Sequence, residues 1–231
     1  MVLLGSALYP LIELRGGIMY LFSRRARLSG GKLSESMAWA TSMTERVVQA
    51  TGMQVSLWTQ TFSPAVGTIS WSTFVPDLAT LEAANDKLMA DNAYHELVDR
   101  GTEFVIPGSV DDSLGMVVHG APDPNRRAEY VGVVRSTGAA GKLARGISLG
   151  VEIAQRVEQI TGLPTLFLAG TTGNYGGVAW VTAFADVAEL ERAQMALNMD
   201  ESFVELIDRE APGVYTDEPG ATTQVILRRI V

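Results

Sequence analysis

Hydrophobic and polar positions along the chain predict the same series of elements twice: strand, helix, hairpin, helix, strand. Alternating segments rich in β-branched residues are typical of strands. Gly52 and Gly162 each stand where a predicted helix would end in a left-handed residue. Asp77 and Asp186 are good N-cap residues for the second helix of each series. The predicted strands are 18–26, 53–61, 67–74 and 113–120, then 130–136, 163–171, 176–184 and 222–230, and the first helices are 32–50 and 142–160.

The two series also share sequence. The segment GKLSESMAWATSMTERVVQATG from Gly31 aligns with GKLARGISLGVEIAQRVEQITG from Gly141, and ELVDR is matched later by ELIDR. The unit, about 110 residues long, exceeds the length of a solenoid repeat, so it indicates a duplicated domain. We therefore predict an apolar N-terminal arm at 1–17, a first repeat at 18–121 and a second repeat at 122–231.

The order β-α-β-β-α-β is that of the ferredoxin-like fold, in which two helices cover one face of a four-stranded sheet. A second copy can cover the face that remains. This order, together with helices of the type LEAANDKLMADNAYHELVDRG and LERAQMALNMDESFVELIDRE, resembles the dimeric α/β-barrel superfamily over roughly residues 17–231. The similarity is to its antibiotic-biosynthesis-monooxygenase-like and NIPSNAP-like branches. It implies an α+β fold in which two tandem ferredoxin-like repeats pair sheet to sheet as an intramolecular dimeric α/β-barrel.

The two-residue period of a strand predicts which side chains face the barrel interior. Met19 and Leu21 are expected to face the helices. A polar wall opposite an apolar wall predicts a small ligand or trapped water inside, although a barrel filled by its own side chains is the alternative. The inward, ligand-binding set is predicted to be Tyr20, Phe22, Gln54, Ser56, Trp58, Gln60, Ser70 and Ser72 in the first repeat, and Tyr130, Leu166 and Leu168, with Ala179 and Val181, in the second.

No catalytic residue can be assigned, but Trp58, Tyr20 and His119 are candidates. His119, at the end of a strand, could act as a general base, but no partner acid is evident, so a solvated histidine is the simpler interpretation. Asp111 and Asp112 are interpreted as a turn, and no metal site is predicted.

The second histidine, His95, lies in a second helix, where some haem-degrading members of the superfamily place their iron ligand. The accompanying haem-pocket motif is missing from this sequence. We therefore predict no cofactor and keep haem as an alternative.

Composition narrows the choice of partners. A net charge of −8 argues against nucleic acid and against anionic membrane surfaces. The sequence contains no cysteine, which excludes disulfides and thiolate chemistry and favours a cytoplasmic location.

Residues 1–17 are apolar but are interrupted by Pro10, Glu13 and Arg15. The uninterrupted apolar run is therefore too short to span a membrane. We interpret them as an arm that packs on the body or on another copy in a homo-oligomer, with a cryptic export signal as the alternative.

The resemblance and the inward residues together predict a barrel that binds a small hydrophobic or aromatic molecule. In its enzymatic form it would be a cofactor-independent, monooxygenase-like enzyme of secondary metabolism. The alternatives are a non-catalytic scaffold or assembly protein with the same fold, and a haem-binding or haem-degrading protein. The superfamily includes cofactor-free oxygenases, haem enzymes, isomerases and proteins without known activity, so the fold alone does not choose between these functions.

Overall fold

A computed structural model of the chain describes residues 18–123 and 126–231, so the predicted arm at 1–17 lies outside the described residues. Eight strands and six helices form within these two ranges. The strands are β1 (Tyr20–Arg27), β2 (Ser56–Thr61), β3 (Thr68–Val75), β4 (Asp111–His119), β5 (Tyr130–Thr137), β6 (Thr165–Gly170), β7 (Gly177–Phe184) and β8 (Thr223–Arg229). The helices are α1 (Leu33–Thr51), α2 (Leu78–Met89), α3 (Asn92–Gly101), α4 (Leu143–Thr161), α5 (Val187–Met199) and α6 (Glu201–Glu210).

The strands form one closed antiparallel barrel in the order β1-β3-β2-β8-β5-β7-β6-β4. Each half of the chain supplies four neighbouring strands. The halves are joined at two seams, where β2 pairs with β8 and β4 pairs with β6. Closure leaves no strand edge unpaired. The predicted α+β fold, an intramolecular dimeric α/β-barrel of two ferredoxin-like sheets, is confirmed.

The helices pack on the outside of the barrel and form a separate core with each half. In the first half, Trp39 and Phe104 pack with Leu57 from β2. In the second half, Phe167 and Trp180 pack against α4. In both cores the buried indole N–H donates a hydrogen bond to a backbone carbonyl, as a buried N–H requires. No helix within the described residues is long and apolar enough to cross a bilayer.

Each predicted second helix is divided in two. The predicted caps are present, since the side chain of Asp77 accepts a hydrogen bond from Thr80 N–H at 2.7 Å and Asp186 does the same at its own helix. A second aspartate then starts a new helix: Asp91 caps α3 and Asp200 caps α6. Aspartate is a preferred N-cap residue, so an aspartate inside a long helical pattern can start a new helix. ELVDR and ELIDR therefore lie on α3 and α6.

The packing of α4 on β6 yields a stability prediction. A Cβ added at Gly150 would lie 2.1 Å from a ring carbon of the buried Phe167, so Gly150→Ala should destabilise the protein by ~1–3 kcal/mol through overpacking. Gly146→Ala, one turn earlier, is the matched control. Its Cβ would meet the Tyr215 ring at an ordinary 3.6 Å, and its higher helix propensity should stabilise the helix by up to ~1 kcal/mol. Urea unfolding monitored by circular dichroism measures both changes, and equal effects would contradict the close packing.

Candidate functional site

The interior of the barrel forms a cavity of about 850 Å³ that is open to solvent, and all eight strands contribute to its wall. The wall formed by the first half carries serine hydroxyls, whereas the wall formed by the second half is mainly apolar. The serines are Ser23, Ser56, Ser70, Ser72 and Ser113, and the apolar residues are Val131, Val133, Leu166, Leu168, Ala179, Val181 and Ala183. The interior is therefore a space with a polar side and an apolar side.

The structure brings most of the predicted inward residues together. Tyr20, Phe22, Gln60 and Tyr130 are not part of the cavity wall, and the Gln60 side-chain amide instead donates to the carbonyl of Pro64 in the β2–β3 loop. Whether the residues in the wall hold a ligand stays a prediction. Those that line the cavity are Gln54, Ser56, Trp58, Ser70, Ser72, Leu166 and Leu168, together with Ala179 and Val181.

The predicted facing of β1 is wrong. Met19 and Leu21 do not face the helices but pack inside the barrel with Leu166 and Leu168, across the β4–β6 seam. Tyr20 and Phe22 consequently point the other way. Apolar residues occupy both faces at the start of β1, so the alternation of polar and apolar residues could not distinguish the two faces. Leu21 faces inward because it packs on the apolar wall of the second half.

The same inversion occurs at β5. Tyr130 packs beneath α5 with Leu163 and Phe184, on the helix side of the sheet. Val131 and Val133 face the interior in its place. The residues of β5 that face inward are thus shifted by one position from the prediction. A shift of one residue exchanges the two faces of a strand.

Trp58 is the aromatic centre of the wall. Its side chain is 6% exposed, and its indole N–H donates to Ser72 Oγ at 2.8 Å. The guanidinium carbon of Arg229 lies 4.3 Å from the ring centroid, a distance typical of a cation–π contact. Arg229 also donates to Ser56 Oγ at 2.8 Å and to the Ala128 carbonyl at 2.5 Å. The contacts of Arg229 with Trp58 and Ser56 cross the β2–β8 seam, and together with the Ser72 hydrogen bond they hold the indole in one orientation.

Two arginines extend into the opposite end of the cavity. Arg25 donates through Nε and Nη2 to Asp111 Oδ2, at 3.0 and 2.5 Å. Asp111 and Asp112 were predicted to form a turn, but they are the first two residues of β4, each paired with an arginine of β1. The backbone of Arg135 pairs with β7 and β8, but its side chain makes no hydrogen bond or ion pair to any described residue. Burial, and next the positive charge of Arg25, lower the pKa of Arg135, while Asp111 acts in the opposite direction.

Neither histidine lines the cavity. His119 Nε2 lies 3.3 Å from Glu158 Oε2 on α4, so the expectation that it has no partner acid is wrong. The other carboxylate oxygen of Glu158 accepts from Thr165 N–H at 3.0 Å, which makes the pair part of the packing of α4 against β6. His95 is exposed on α3. The cavity wall therefore offers no imidazole for a haem iron, and the described residues contain no cluster of three or more potential metal ligands.

Comparison with known proteins identifies the fold but no sequence family. No family sequence profile matches the chain, and no curated protein matches its sequence. A provisionally named monooxygenase from Fusobacterium nucleatum has a similar structure, with a TM-score of 0.69 and 8% identity over 93% of this chain and 94% of that one. An anthrone oxidase-like protein gives a TM-score of 0.64 at 12% identity, over 94% and 93%. A provisionally named chlorite dismutase gives 0.55 at 13%, over 93% and 95%.

These neighbours belong to the dimeric α/β-barrel superfamily, and this chain has the same fold. Their sequence identities are low, so the similarity establishes the fold and not the reaction.

The hydrogen bond between Trp58 and Ser72 can be tested by mutation. Ser72→Ala should destabilise the protein by about 1 kcal/mol, because the largely buried indole N–H loses its acceptor. Ser70→Ala is the matched control: it lies on the same face of β3, and its hydroxyl makes no hydrogen bond to a described residue, so we expect a smaller effect. Thermal unfolding of both variants gives the comparison. Equal losses of stability would show that the bond does not fix the indole.

Proposed function

We propose that this protein binds a small hydrophobic or aromatic molecule inside its barrel. The observation that carries the proposal is the cavity of about 850 Å³, with serine hydroxyls and Trp58 on one wall and aliphatic side chains on the other. Ligand pockets commonly have volumes of roughly 300–1,000 Å³ and this mixture of walls. A barrel filled by its own side chains would not leave such a space. The absence of cysteine is consistent with the cytoplasm as the location of this binding.

The enzymatic form of the proposal is a cofactor-independent oxygenase. An anthrone oxidase-like protein among the structural neighbours supports it by analogy of fold. In such a reaction anthrone and O₂ give anthraquinone and water: the ring methylene carbon is oxidised to a carbonyl, and one oxygen atom leaves as water. The residues of this chain would bind the flat rings between Trp58 and the aliphatic wall and exclude bulk water from them.

Two other functions are less well supported. A haem protein of the kind named among the neighbours would need an axial ligand, and the described cavity wall holds no histidine. A scaffold would need no cavity at all. A measurement of ligand binding therefore distinguishes the proposed ligand-binding function from a scaffold function.

Binding inside the barrel predicts that a larger side chain in the cavity will block it. N-phenyl-1-naphthylamine, a neutral aromatic probe, should bind the wild-type protein with increased fluorescence. Val181→Trp fills the aliphatic wall and should weaken this binding by about tenfold or more, equivalent to ~1.4 kcal/mol. Val187→Trp is the control, because Val187 is 47% exposed at the start of α5 on the outer surface. Failure of the wild-type protein to bind, or an equal loss in both variants, would contradict the proposal.

Oxygenase activity can be measured separately as oxygen uptake with anthrone. We expect uptake above the buffer rate, equal amounts of oxygen consumed and anthraquinone formed, and loss of both in Val181→Trp but not in Val187→Trp. Binding of aromatic compounds without oxygen uptake would identify a ligand carrier instead. Circular dichroism of each variant verifies that the fold is retained.

A further inference from the structure

We propose that the ligand of the barrel carries an anionic oxygen group, such as a carboxylate, and that the guanidinium of Arg135 binds this group at one end of the cavity. This inference rests on the proposed function, since it names the chemical class of the molecule that the cavity takes. It is carried by the position of Arg135, by its missing partner and by the aliphatic surface beside it.

Arg25 and Arg135 enter the same end of the barrel from opposite walls. Three strands separate β1 from β5 in both directions around the barrel, and the strand pairings make the two strands parallel. Each arginine is the sixth residue of its strand and lines the cavity. The two positions also correspond in the repeated sequence. This end of the cavity therefore carries two arginines, one from each half, at equivalent positions.

Only one of these two charges is neutralised. Asp111 is the cross-strand neighbour of Arg25 on β4, and it forms an ion pair with it. The cross-strand neighbour of Arg135 on β8 is Thr223, which has no carboxylate. No other described carboxylate lies within ion-pair distance of Arg135. An arginine that faces a cavity and has no described ion-pair partner keeps its donors available for an anionic group of a ligand.

The surroundings of Arg135 fit an anion joined to an apolar body. Its guanidinium presents a planar fork of donors that matches a carboxylate. Val133, two residues earlier on β5, and Val181 opposite it on β7 continue the aliphatic wall from the charged end inward. Arg229 at the other end differs, because described acceptors and the Trp58 ring already occupy it. An aromatic compound with an acidic oxygen group would thus lie with its acid at Arg135 and its rings toward Trp58.

Two probes with the same aromatic body test this inference. 8-Anilinonaphthalene-1-sulfonate carries one sulfonate, and N-phenyl-1-naphthylamine carries none. Arg135→Gln should weaken binding of the sulfonate by about tenfold or more while changing binding of the neutral probe by less than about twofold. Arg192→Gln removes the same charge from the exposed surface of α5 and should change neither affinity. Arg135→Lys, which keeps the charge but loses the fork, should bind the sulfonate with intermediate affinity.

The outcomes separate this inference from the proposed function. If the wild-type protein binds neither probe, both fail. Alternatively, the wild-type protein binds both probes, and Arg135→Gln leaves the sulfonate affinity unchanged or lowers both affinities equally. That result would contradict only the inference that the ligand is anionic. Thermal unfolding of the ligand-free proteins adds a second readout. Loss of an unpaired cation should leave the melting temperature of Arg135→Gln equal to or above that of the wild type, and a clear decrease would show that Arg135 serves the fold instead.

Discussion

The structure depends on the backbone hydrogen bonds of two seams, β2 with β8 and β4 with β6. A four-stranded ferredoxin-like sheet has two open edges and one uncovered face. Joining the edges of two such sheets pairs the edge groups and turns both uncovered faces toward one interior. The cavity exists because the barrel is closed, and parts of its wall are built at the seams. Trp58 and Arg229 meet across one seam, and Leu21 packs near Leu168 across the other.

The fold was predictable because a repeated sequence pattern and regular element spacing point to the same answer. The inward residues of β2 and β3 were largely predictable because their inward positions are mainly polar and the positions facing the helices are mainly apolar. The faces of β6 and β7 are both apolar, and their inward residues follow from the repeat, in which they take the places of the inward residues of β2 and β3. At the start of β1 the two faces do not differ in polarity, since Met19, Tyr20, Leu21 and Phe22 are all apolar. There the facing is decided by the wall on the far side of the barrel. A pattern within one strand does not contain that information.

Contacts between distant elements and local helix capping explain the remaining differences. Glu158, the partner of His119, lies on a helix of the other half, and Asp91 and Asp200 start new helices inside what reads as one long helical pattern. Arg135 was visible in the sequence only as the counterpart of Arg25. Its importance emerges from the strand register, which places Asp111 beside one arginine and Thr223 beside the other. Such a difference arises when two sheets have the same backbone pairing but differ in single side chains.

The covalent connection between the halves determines which barrels can form. If the two sheets were separate chains, random association would also produce barrels with two first halves or two second halves. Those assemblies would have either two hydroxyl-rich walls or two aliphatic ones. A single polypeptide always joins unlike halves in equal number, so every molecule has the same asymmetric interior and the same orientation for whatever enters it.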